Sequence, residues 1–161
     1  MSERSGEGMS HERGLASPAF PDDDGSTDPM LAAALGDNIS VLEALGEARV
    51  FVPIIPLLGE VHVKGDKNAE MAAVLMTGAD GRTALLAFSS VQTMTDWDPQ
   101  ARPAPVIGRD AARAALAEEA GALLLDLGGP TFTIVETADV EHLAAGHVMV
   151  RTLAGAAWLT A

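Results

Sequence analysis

Residues 70–88 read Glu70-Met71-Ala72-Ala73-Val74-Leu75-Met76-Thr77, then Gly78-Ala79-Asp80-Gly81, then Arg82-Thr83-Ala84-Leu85-Leu86-Ala87-Phe88. Two short apolar runs flank a turn carrying Asp80-Gly81, a dipeptide suited to the positive φ of tight hairpins. The pattern predicts an antiparallel hairpin. Both runs are nearly continuous in apolar character, so both faces of each strand are expected to be covered. Ser89-Ser90-Val91-Gln92 then opens a helix, with Ser89 as cap and Gln92 reaching back. This helix carries Met94 and Trp97 and stops before Asp98-Pro99, with Trp97 expected as a buried anchor.

Upstream, residues 1–27 combine Gly, Ser, Pro and charge with too little apolar surface to offset ordering entropy, and are read as a disordered tail. Asp28-Pro29 starts a short helix over Met30–Leu35, stopped by Gly36. A second helix is predicted from Ser40, with Glu43 completing a capping box, to Gly46. Arg49 to Leu57 reads as a strand whose Pro53 and Pro56 place it at a sheet edge, where a partner could dock. Gly59–Asn68 is a polar connector.

Downstream, Ala104–Ile107 is a brief strand and Asp110 caps a helix to about Ala120. Leu123–Leu127 is a buried strand, Gly128-Gly129-Pro130 a turn, and Thr131–Val135 an alternating, half-exposed strand. Thr137 caps a last helix, closed at Gly146. Residues 147–161 are compatible with a strand or a helix. Mixed order and hairpin connections predict α+β architecture: a mostly antiparallel mixed sheet of about five strands packed against short helices. The expected layout is a tail (1–27), one domain (28–146) and an extension (147–161).

The 161 residues suit a single domain. Cysteine is absent, which excludes disulfides and thiolate metal sites. The net charge is −13, with seven acids against two bases in residues 1–28 alone. No Lys/Arg cluster exists, so nucleic acid and anionic membrane are disfavoured as partners. With no tyrosine and few aromatics, base-stacking platforms are not expected. No apolar run reaches the ~20 residues of a membrane span and no signal-peptide core opens the chain, so a cytoplasmic location is expected.

Catalytic patterns are thin. His142 and His147 are five apart across a helix stop, whereas a zinc pair on one helix face needs a spacing of four and further ligands. Gly128-Gly129-Pro130-Thr131 leads into a strand rather than the helix a phosphate loop requires. Ser89 and Ser90 lie at a strand-to-helix turn, but the glycines of a nucleophile elbow are replaced by Ala87 and Val91. Glu118-Glu119 reads as a solvated helix face. No catalytic, cofactor-binding or metal role is assigned. The candidate partner or ligand surface is Ser89, Ser90, Asp96, Asp98 and Arg82, with free backbone donors at the Ser89-Ser90 helix start able to meet an anion.

Arg49-Val50-Phe51-Val52-Pro53, Asp66-Lys67, Asp80-Gly81-Arg82-Thr83-Ala84-Leu85, Phe88-Ser89-Ser90, Trp97-Asp98-Pro99 and Gly129-Pro130-Thr131-Phe132 together resemble the N-terminal domain of the SseB family (enhanced serine sensitivity protein B). The resemblance covers roughly residues 30–146. It implies a small cytoplasmic bacterial α/β domain, named from a serine-sensitivity phenotype, without established enzymatic activity or catalytic residues to carry over. The length is expected to leave no room for the second domain that some members carry. Two functions remain open: a non-catalytic binding or regulatory module, with a protein partner or a second copy of the chain, and a small-ligand protein or enzyme whose site lies in loops. No cofactor is implied by either.

Overall fold

A computed structural model describes residues 20–56 and 71–160. The hairpin forms as the Asp80-Gly81 turn requires: β3 (Leu75–Thr77) pairs antiparallel with β4 (Thr83–Ala87), and Gly81 takes φ 86°. β2 (Met71–Ala73) precedes it, separated only by Val74. Val74 donates its N–H to the Pro53 carbonyl (3.2 Å) and accepts from the Leu86 N–H (3.4 Å), so the chain changes sheets there.

Among the described residues nine strands form three sheets, where the sequence suggested one sheet of about five. The architecture is α+β and mostly antiparallel, as expected. The first sheet has order β2-β1-β5, with β1 Arg49–Pro56 and β5 Arg102–Ile107. The second has order β3-β4-β6-β7, with β6 Ala122–Leu125 and β7 Thr133–Glu136. Only the β4–β6 pair is parallel. The two sheets also join where Phe51 and Phe88 exchange backbone hydrogen bonds of 2.8 Å each.

β1 is therefore central, which corrects its reading as a docking edge. Pro53, of the same sense as Phe51, turns its missing donor away from β5 toward Val74, whose carbonyl accepts from the Leu86 N–H instead. Because Phe51 turns its N–H and C=O toward Phe88, Pro105 opposite it on β5 loses no ladder bond. Pro103, facing Pro53, has the same sense. Both β5 prolines thus direct their missing donors outward, and β5 is the blunted edge strand.

α1 (Pro29–Ala34) is capped by Asp28, as expected. The other starts move by a few residues. α2 (Asn38–Leu45) is capped by Asp37, which accepts from the Ser40 N–H and hydroxyl (2.9 and 2.7 Å), so Ser40 is not the cap. α3 (Val91–Trp97) is capped by Ser90 with Thr93 as reciprocal partner, not by Ser89 with Gln92. α4 (Gly108–Ala117) begins before Asp110, and α5 (Thr137–Ala144) includes Thr137 as its first residue. Gly108 is required where it stands: a Cβ there would lie 1.9 Å from the Leu45 carbonyl oxygen.

α1, α2, α4 and α5 build the main core with Leu85, Ala87, Leu123, Leu125 and Val135 from one sheet face. α3 covers part of the other face through Met94, packed with Leu86 and Phe88. Trp97 is half-buried rather than fully buried and tilts on Phe88 at 5.4 Å. β4 is covered on both faces as expected. β3 is not, since Leu75 and Thr77 are exposed at an outer position of the sheet.

The extension is a hairpin, β8 (Val148–Thr152) with β9 (Gly155–Leu159). Arg151 ties it to Asp37 and Glu43 on the α2 side, each at 3.2 Å. Trp158 stacks on His142 (4.9 Å) and donates to Asp139 (3.0 Å). Residues 20–27, assigned by composition to the tail, make specific contacts through Asp23 and Gly25. The remainder of that tail, with His11, and the Gly59–Asn68 connector lie outside the described residues.

Candidate functional site

Parallel pairing of β4 with β6 puts Ala87 beside Leu125, so Ser89, two residues past Ala87, and Asp126, one past Leu125, meet at the carboxyl ends of both strands. In parallel sheets this is where ligands commonly enter. Here the position is filled by protein. Asp126 has φ 60° and is 1 % exposed. Its carboxylate accepts from the Ser89 N–H (2.7 Å), the Ser89 hydroxyl (2.6 Å) and the Thr93 hydroxyl (3.0 Å). Both donors of Ser89 thus end on this carboxylate, while the Asp126 N–H is taken by the Ala87 carbonyl (2.9 Å).

Arg49 seals the adjoining side. Its guanidinium donates to the Ser89 carbonyl (3.0 Å), to the Ser26 carbonyl, and to both Asp23 oxygens (2.7 and 2.9 Å), while lying over the Phe51 ring at 4.1 Å. Burial pushes the Asp23 carboxyl up, but hydrogen bonds from Arg49 and the Gly25 N–H, with the Arg49 charge, outweigh it and hold the group below its ordinary value. The Val91 N–H is taken by the Gly25 carbonyl (2.9 Å) and the Thr93 N–H by Ser90 (3.1 Å). The helix start offered by sequence as an anion spot is thus occupied by the segment before α1. Ser89, 1 % exposed, is not a surface residue.

The five candidate residues are not brought together. Arg82 stands at the opposite end of β4 from Ser89 and Ser90, ~20 Å away at strand rise, and pairs with Glu136 (3.2 Å). Asp96 accepts from Gln92 (2.7 Å) and Asp98 from the Gln100 N–H (2.9 Å), both toward the end of α3. Sequence reasoning missed Asp126, Arg49, Asp23 and Thr93. Asp126 did leave a signal: a lone acid inside the apolar run Leu123–Leu127, followed by two glycines.

A second feature is open to solvent. A groove of about 430 Å³ runs between α1–α2 and the turn from α5 into β8. Its floor is Leu42, Ala48, Leu143 and Met149, all buried. Met30, 73 % exposed, and Val148, 50 % exposed, stand on its lips. Asp28, Glu43, Glu47, Arg109 and His147 supply its polar side chains. His147 Nδ1 is 2.9 Å from His142 Nδ1, so the two histidines partner each other. Among the described residues no group of three or more His, Asp or Glu is gathered closely enough to hold a metal ion.

Fold and site together define a small α+β domain with a closed polar seam and an open, apolar-floored groove. The family model of the SseB protein N-terminal domain matches residues 29–142, and the chain belongs to the SseB family. No curated protein matches the chain. The family match ends before the β8–β9 hairpin, which supplies one wall of the groove. No helix among the described residues is long and apolar enough to cross a membrane.

Proposed function

We propose that this SseB-family domain is a non-catalytic binding module whose contact surface is the groove between α1–α2 and the α5–β8 turn. The observation that supports this reading is the pairing of two exposed large apolar side chains, Met30 and Val148, across a floor of buried apolar atoms. Exposed apolar groups grouped around a hollow mark contact surfaces more often than isolated ones do. The serine–carboxylate pair supports it too: Ser89 donates to Asp126 in a closed seam, so its hydroxyl is committed to packing.

The test is Val148→p-benzoylphenylalanine in the full chain, irradiated in lysate beside the same replacement at Glu118, which is exposed on the far end of α4. Discrete adducts are expected at position 148, competed by excess wild-type protein and not by excess Met30→Asp. Identical adducts at both positions, or turnover of a metabolite by the purified chain that single substitutions abolish without unfolding it, would replace this reading.

A further inference from the structure

We infer that the groove takes a basic amphipathic helix of a partner protein; this rests on the binding-module reading and names the chemistry of the partner. The apolar surface does not end at the first hollow. A second, of about 220 Å³, is lined by Ala33, Ala34 and Ser40 and shares Met30, Glu43 and Ala44 with the first. Two hollows on either side of one ridge suit successive anchors of an amphipathic helix, spaced by three or four residues. The walls are helix surfaces and turns apart from the first residues of β8, so side-chain anchors rather than strand addition carry the contact.

Charge selects the partner. Asp28, Glu43, Glu47 and neighbouring Asp37 face two guanidiniums, Arg109 and Arg151, and both are already engaged. Arg109 pairs with Glu47 at 3.7 Å, and Arg151 with Asp37 and Glu43. Glu47 keeps its side chain 85 % exposed. α2 and α5 finish at the groove while α1 and α4 start beside it, so the helix dipoles offset one another and the side-chain carboxylates set its sign. The chain as a whole carries −13. A helix with lysines or arginines flanking its apolar stripe is attracted, whereas an anionic membrane or a second copy of the chain is repelled.

The experiment uses the full chain and two fluorescein-labelled helical peptides of about 18 residues with leucines on one stripe. One carries lysines on the flanks and its twin carries glutamates. By anisotropy the lysine peptide binds with micromolar Kd and the glutamate twin at least about tenfold more weakly. Met30→Asp and Val148→Asp each weaken the lysine peptide about tenfold, and so does Glu47→Lys. Glu118→Lys, the same charge change at the other end of α4, leaves Kd within about twofold.

No binding of the lysine peptide overturns the inference, as does equal binding of the twin or wild-type binding by both aspartate variants. Equal weakening by Glu118→Lys reduces the effect to whole-molecule charge and overturns it too. A dimer that Val148→Asp dissolves makes a second copy the occupant and overturns it. Peptide failure with position-148 adducts intact removes the helix and leaves the module; loss of those adducts removes the module itself.

Discussion

Asp126 shows how one residue holds three elements. It follows the last residue of β6 in the left-handed region, where Asp and Asn are tolerated because their short polar chains bond locally. From there its carboxylate reaches the β4–α3 junction through Ser89 and the first turn of α3 through Thr93. Removing it leaves a buried N–H and a buried hydroxyl without an acceptor, and unmade bonds of this kind are costlier than the bonds are stabilising. We expect Asp126→Ala to cost about 3 kcal/mol and Asp126→Asn roughly half of that, since the amide keeps one acceptor oxygen and tolerates the backbone. Urea midpoints at unchanged slope measure both. A loss below ~1 kcal/mol for the alanine variant would mean that water replaces the carboxylate and that the seam is not closed.

At the level of elements, the β8–β9 hairpin is the one most dependent on its neighbours. Two five-residue strands are marginal alone. What holds them is Met149 in the main core, Arg151 over α2, and Trp158 lying flat on His142 with its indole N–H on Asp139. Trp158→Phe keeps the stacking surface and removes the donor. We expect a cost of about 1 kcal/mol, concentrated in faster amide exchange over residues 148–159 while residues 83–88 keep their protection. Equal loss in both segments would show that the hairpin opens only with the whole domain.

Across the whole molecule, the segment before α1 joins β1, β4 and α3 through a single buried guanidinium. The Asp23 side chain, 15 % exposed, neutralises Arg49 by two hydrogen bonds. Its folded carboxyl lies below the ordinary value, so the unfolded chain binds more protons as pH falls. The stabilisation is therefore complete above the unfolded value, near 3.9, and is lost as pH falls through the lower folded value. We expect Asp23→Asn to cost about 1–3 kcal/mol at pH 6 and the gap to the parent to close in acid below about pH 3, in paired urea titrations. A gap that stays constant across that range would assign the cost to packing rather than to the ion pair. Comparing parent with variant removes the relief of self-repulsion that a chain of −13 undergoes when its other carboxylates protonate.

Local chemistry determined much of this protein directly. The Asp80-Gly81 turn, the Asp28-Pro29 helix start and the alternation of β7 were legible because turns, caps and strand faces depend on residues within a few positions of one another. The family was legible for the same reason, in short runs around those turns. Helix starts moved wherever two capping residues competed, as Ser89 did with Ser90 and Ser40 with Asp37. Tertiary structure alone decided that β1 is central, because the cost of a proline depends on which side of the strand its missing donor faces. It also decided that Ser89 serves Asp126, 37 residues away, and that Arg49 is covered by Asp23. The groove belongs to the same class. Met30, Glu47, Leu143 and Val148 become neighbours only when four elements pack, and no spacing along the chain encodes that meeting.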